Sequence, residues 1–133
     1  MDLLALAKTV ADRVEAKATE VKVPVAVCVI DIHGNVVLTH RMGGAPAFAA
    51  EIAERKAYTS ALVRMRTADI LPLVQPGQPL YALSMVSGGK YCAMGGGVPL
   101  TREGEVDLFA LRHTILANLR TDYAGFREYW VAH

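Results

Sequence analysis

Charged side chains are scarce in this chain: Asp, Glu, Lys and Arg make up 20% of its 133 residues, and 14 basic against 13 acidic residues leave a formal net charge of +1. So even a balance supports neither a nucleic-acid footprint nor a polybasic attraction to anionic membranes. Cysteine is nearly absent as well. Cys28 and Cys92 stand far apart, inside apolar runs and without C-x-x-C spacing, and read as two buried small hydrophobic residues rather than a redox or zinc motif. No apolar run approaches the roughly 20 residues of a membrane span. The first residues include Asp2, no basic cluster and an amphipathic pattern in place of a signal peptide's apolar core, which predicts a cytoplasmic protein. No set of His, Cys, Asp and Glu has metal-ligand spacing, and there is no G-x-S-x-G elbow, Walker loop or Rossmann fingerprint.

What the chain has in excess is apolar surface. A hydrophobic content of 53% and a mean hydropathy of +0.27 are high for a monomer of this size, and the length is most simply one domain, 1–133. Copies of the chain are therefore expected to cover part of that surface, as a homo-oligomer. Asp2 is placed to cap a helix reaching about residue 21, since Leu3, Leu6, Ala7, Val10, Val14 and Ala18 form a stripe at three- and four-residue spacing. Residues 23–32 are apolar on both alternating sets, as in a strand covered on both faces. His33-Gly34-Asn35 is a turn signal, and residues 36–42 return as the second strand of a hairpin. Two further strands are expected at residues 80–86 and 91–94. Residues 106–111 fit either a fifth strand or the start of a helix, and residues from 114 onward read as helix, with Phe126, Tyr129 and Trp130 as anchors.

Residues 45–66, APAFAAEIAERKAYTSALVRMR, form the organising element: one helix with a face of alanines and Lys56 at its edge. Small side chains let such a helix lie close to a sheet or to another helix, and a lysine beside them snorkels, pairs or reaches a ligand. Lys56 and Thr59 are one turn apart with Ser60 adjacent, so an ammonium and one or two hydroxyls could meet a carboxylate or phosphate oxygen. The alternative is that Lys56 pairs with an acid such as Glu51 or Glu54 while Thr59 serves packing. His40 shares a strand face with Leu38 and Met42, Arg41 pointing the other way, and is either a hydrogen-bonded structural residue or a ligand. Gly95, Gly96 and Gly97 mark either a ligand-facing backbone or close packing against the alanine face.

Four pieces in order, VAVCVIDIHGNVV, HRMGGAP, EIAERKAYTSAL and GGGVPLTREGEV, resemble the GlcG/HbpS-like family, also found as the C-terminal domain of PduO-type proteins. The resemblance spans roughly residues 25–106, and its K-A-x-T helix is the most specific part. It implies an α+β, profilin-like fold, with an antiparallel sheet of four to five strands flanked by N-terminal, central and C-terminal helices. It also implies a homo-oligomeric accessory protein of a catabolic pathway that binds a small molecule, haem or a related tetrapyrrole being one candidate. The pocket is expected between the long helix and residues 95–99. Lys56, Thr59 and Ser60 would face Gly95, Gly96, Gly97 and Pro99 there, and His40 or His113 would add a hydrogen bond or an axial contact. An enzyme acting on a small hydroxy- or oxo-acid through Lys56 and a histidine is the alternative. The chain departs from the family pattern in having no glycine between Gly104 and Gly125 and no histidine before His33, which removes a haem ligand from the first helix.

Overall fold

The computed structural model describes residues 2–100; residues 106–111, the helix expected from residue 114 onward and His113 lie outside them. Helix α1 (Leu3–Glu20) begins where Asp2 Oδ1 accepts the amides of Leu4 and Ala5 at 3.0 and 3.2 Å. That cap satisfies two of the donors every helix start leaves open. The stripe Ala7, Val10, Ala11, Val14 and Ala18 is buried and packs on Val25, Val27 and Val29, as its three- and four-residue spacing predicts. Lys22, in a left-handed conformation, ends the helix and turns the chain into the sheet.

Strands β1 (Ala26–Ile30) and β2 (Val36–Arg41) form an antiparallel hairpin in which Val27 faces His40, Cys28 faces Thr39 and Val29 faces Leu38, with an irregularity at Val29/Ile30. Because successive side chains alternate, Val27 and Val29 meet α1 while Ala26, Cys28 and Ile30 point to the opposite face, against which helix α2 (Ala49–Val63) packs. Cover on both faces is the reason both alternating sets of this strand are apolar. The turn is closed by Asp31, whose Oδ1 accepts the amides of His33 and Asn35 at 2.8 and 2.9 Å and whose Oδ2 accepts Asn35 Nδ2 at 3.2 Å. Gly34 sits there with φ +86°, directly over the Tyr58 ring of α2, where a Cβ would come within 2.8 Å of Cε2.

The second half differs from the strands expected of it. After α2, Arg64 takes a left-handed conformation and a short helix α3 (Thr67–Ile70) follows. Residues 80–86 are not extended. Tyr81, Leu83 and Met85 donate to the carbonyls three residues earlier, and Leu71–Val74 and Leu83–Gly89 form 3-10 turns. Tight local turns take these amides in place of sheet pairing, and Pro72, Pro76 and Pro79 punctuate the stretch that leads into them. Residues 91–94 are irregular too. Among the described residues the sheet therefore has two strands, a mixed helix-and-sheet architecture of the α+β kind.

Asp31 is held below the ordinary carboxylate range chiefly by the hydrogen bond from the Asn35 amide, with Asn35's side chain and the His33 amide adding to it. A carboxyl with a depressed folded-state pKa contributes stability above its unfolded value and loses it as pH falls through the folded one. We expect stability to decline as pH drops below about 5, with a shallower decline in Asp31→Asn. Urea unfolding of both proteins across the acid range is the measurement, and parallel pH curves would contradict this role for Asp31.

Candidate functional site

The buried face of α2 consists of Ala53, Lys56, Thr59 and Ser60. Of the alanines, Ala49, Ala50, Ala57 and Ala61 are only half-buried, so the polar residues occupy the centre of the packed face rather than its edge. Lys56 is 1% exposed. An isolated ammonium there would cost several kcal/mol, and Lys56 is not left without a partner. Glu51, one of the acids considered for it, is bound to Arg55 at 3.1 Å.

The two hydroxyls hold backbone. Thr59 Oγ1 donates to the Arg55 carbonyl at 2.8 Å and accepts the Cys92 amide at 2.7 Å, and Ser60 Oγ donates to the Met65 carbonyl at 2.8 Å. Around them, residues 88–97 are strapped along the helix. Arg55 Nη1 donates to the Gly89 carbonyl at 2.9 Å, Tyr58 and Tyr91 meet edge to face at 5.4 Å, and Lys90 Nζ lies 5.3 Å from the Tyr58 ring centre.

Gly97 closes the seam. Its amide donates to Thr67 Oγ1 at 2.7 Å and its carbonyl accepts the Thr67 amide at 3.0 Å. A Cβ on Gly97 would overlap the Lys56 carbonyl oxygen and stand 2.7 Å from Thr67 Cγ2. Gly96 and Gly97 are buried, Gly95 and Pro99 half-buried. The glycine run thus does meet the helix that carries Lys56, but at Gly97 by backbone packing, with the amide already committed. Thr67 is a site residue the sequence reading missed; its partner lies 30 positions away and no local pattern marks it.

His40 is on the other side of the sheet. Paired with Val27, it faces α1, where its Nδ1 lies 2.6 Å from Glu15 Oε1. Neither side chain is buried, and among the described residues Nε2 makes no hydrogen bond. The hairpin therefore separates His40 from Lys56, and the two do not share one pocket. Cys28, on the α2 side, is pushed up in pKa by burial, with the nearby Glu54 carboxylate adding to the shift and the hydrogen bond from Thr39 at 3.4 Å opposing it, which keeps it a thiol rather than a nucleophile. Cys28 and Cys92 are unbridged and half-buried. Among the described residues no group of three or more His, Cys, Asp or Glu could hold a metal ion, and no helix is long and apolar enough to cross a membrane.

Residues 3–107 match the family described as haem degrading protein HbpS-like. The chain belongs to the HbpS-like family. It is similar to an uncharacterised 15.0 kDa protein of the dhaT-dhaS intergenic region of Citrobacter freundii, 42% identical over 103 residues that make up 77% of this chain and 72% of that one. It is also 38% identical over 88 residues, 66% of its length, to the corrinoid adenosyltransferase PduO of Salmonella typhimurium, of which that match covers 26%. Among solved structures, a PduOC:heme complex superposes with a TM-score of 0.70 at 30% identity, over 81% of this chain and 88% of that one. The K-A-x-T helix of this HbpS-like chain is thus the element that carries Lys56 and Thr59 in the seam just described.

Replacing Gly97 by Ala is expected to destabilise the fold by about 1–3 kcal/mol through overpacking. Thr67→Val, which leaves the Gly97 amide without its acceptor, should cost about 1–3 kcal/mol. Urea denaturation of the single and double variants checks both, and coupling is expected because the two residues share one contact. A neutral Gly97→Ala would show that the seam has slack.

Proposed function

We propose that this HbpS-like protein is a homo-oligomeric, small-molecule-binding accessory protein of cytoplasmic catabolism, and that haem or a corrinoid-related tetrapyrrole is the ligand class it takes. The observation that carries the reading is the His40–Glu15 pair. A metal-ligating histidine characteristically gives its second ring nitrogen to a carboxylate, which sets the ring's orientation and tautomer, and Nδ1 of His40 lies 2.6 Å from Glu15 Oε1 on a side chain that is 45% exposed. Similarity to a protein crystallised as a heme complex supports the same ligand class.

The donors fit such a group at one place and not at another. At the seam between α2 and Gly97, the hydroxyls are committed to backbone and the space is filled by the chain itself. On the α1 side of the hairpin, His40 is accessible and Leu38 and Met42 supply partly buried apolar surface nearby. A bound haem supplies iron redox chemistry. His40 would hold the metal, Glu15 would orient the imidazole, and the Lys56, Thr59 and Ser60 cluster would keep α2 and the following segment in register.

The alternative is an enzyme acting on a small hydroxy- or oxo-acid through Lys56 and a histidine; His40 lies on the other side of the sheet from Lys56, so that histidine would be His113, outside the described residues. Haemin titration followed at the Soret band separates the readings. His40→Ala is expected to abolish the band, and Glu15→Gln to weaken affinity by roughly 10–100-fold, whereas Lys56→Met leaves it unchanged in any variant that folds. A band that survives in His40→Ala and disappears in Lys56→Met would move the ligand to the α2 seam.

A further inference from the structure

Two carboxylates of the long helices face cations on their own helix, Glu20 with Lys17 at 2.8 Å and Glu51 with Arg55 at 3.1 Å. Glu15 does not. Among the described residues its one ion-pair partner is the His40 ring, 2.6 Å away, with no lysine or arginine sharing the carboxylate. The contact is held from both sides. Ala11 and Ala18, four residues before and three after Glu15, are fully buried under α1, Thr19 Oγ1 donates to the Glu15 carbonyl at 2.8 Å, and His40 is fixed in the ladder opposite Val27. The carboxylate thus stands against the ring on two packed elements before any ligand arrives. Since a carboxylate only accepts hydrogen bonds, the neutral ring carries its proton on Nδ1 and its lone pair on Nε2.

We propose that Glu15 sets the redox state of a haem held by His40, biasing the iron toward the ferric form. This deepens the tetrapyrrole reading above and rests on it. A hydrogen bond from Nδ1–H to an anion raises the basicity of the imidazole as a ligand, and hydrogen bonding around the axial ligand is one of the levers by which a protein tunes a haem. Stronger donation from Nε2 and the negative charge itself both favour the oxidation state with the larger positive charge. The missing counter-cation fixes the sign, because a lysine or arginine sharing the Glu15 carboxylate would oppose its field at the ring. Glu15 acts through His40 and is a positioning residue, and orientation alone would change how tightly haem is held without this preference for ferric iron.

The test is the midpoint potential of the haemin-loaded protein, by spectroelectrochemistry at the Soret and visible bands, with haemin saturating each variant. Glu15→Gln, which keeps the shape and an acceptor oxygen but not the charge, should shift the ferric-to-ferrous equilibrium at least tenfold toward ferrous, a rise of about 59 mV in a one-electron potential. Glu20→Gln removes a carboxylate of the same helix that faces Lys17 instead of His40 and should leave the wild-type potential unchanged. Equal potentials in loaded wild type and loaded Glu15→Gln would overturn the electronic role and leave the haem reading standing. Equal shifts in Glu15→Gln and Glu20→Gln would reduce the effect to helix charge in general and equally overturn it. A wild type that takes up no haemin would overturn this inference together with the reading it rests on.

Discussion

With only a hydrogen for a side chain, Gly97 lies directly against the Lys56 carbonyl while Thr67 takes both its amide and its carbonyl. That single close approach sets the distance between α2 and the chain that returns along it. Thr59 can then reach the Cys92 amide, Arg55 the Gly89 carbonyl and Tyr58 the Tyr91 ring. None of these bonds is strong alone, at about 0.5–1.5 kcal/mol net for a typical hydrogen bond. Their geometry depends on one backbone contact that any larger residue would push apart.

The hairpin acts as a partition. Its two faces are both covered, by α1 on the Val27 side and by α2 on the Cys28 side, so side chains on neighbouring positions of one strand belong to different environments. His40 and Thr39 illustrate it. His40 meets Glu15 of α1, while Thr39 reaches Cys28, whose thiol feels Glu54 of α2. The partly exposed His40–Glu15 pair and the buried cluster around Lys56 are kept apart by the thickness of one sheet. The buried cluster holds backbone, and His40 stays partly exposed beside α1.

A similar division separates the charged surface from the neutral one. Charges are placed along α1 and α2, as in the Lys17–Glu20 and Glu51–Arg55 pairs, whereas the proline-rich turns that follow α3 carry none. A soluble surface ordinarily mixes both signs of charge. The neutral stretch is set apart by the turn chemistry that also keeps it from joining the sheet.

Several features were legible without coordinates because they follow from local pattern. The Asp2 cap, the apolar stripe of α1, the doubly apolar strand β1 and the Gly34 turn all rest on spacings of one to four residues. The family follows from short motifs within residues 25–106, and Lys56, Thr59 and Ser60 were marked by the same helix motif. Their roles were not legible, since Thr59 answers Cys92, Thr67 answers Gly97 and His40 answers Glu15 across 33, 30 and 25 positions. Nor could local pattern tell that residues 80–86 would turn rather than extend, because a strand exists only where another strand offers its backbone. Sequence alone thus determined the first helix, the hairpin and the central helix, and which residues are chemically equipped. Tertiary structure alone decided which face each one meets, because that depends on groups brought together by packing and not by order along the chain.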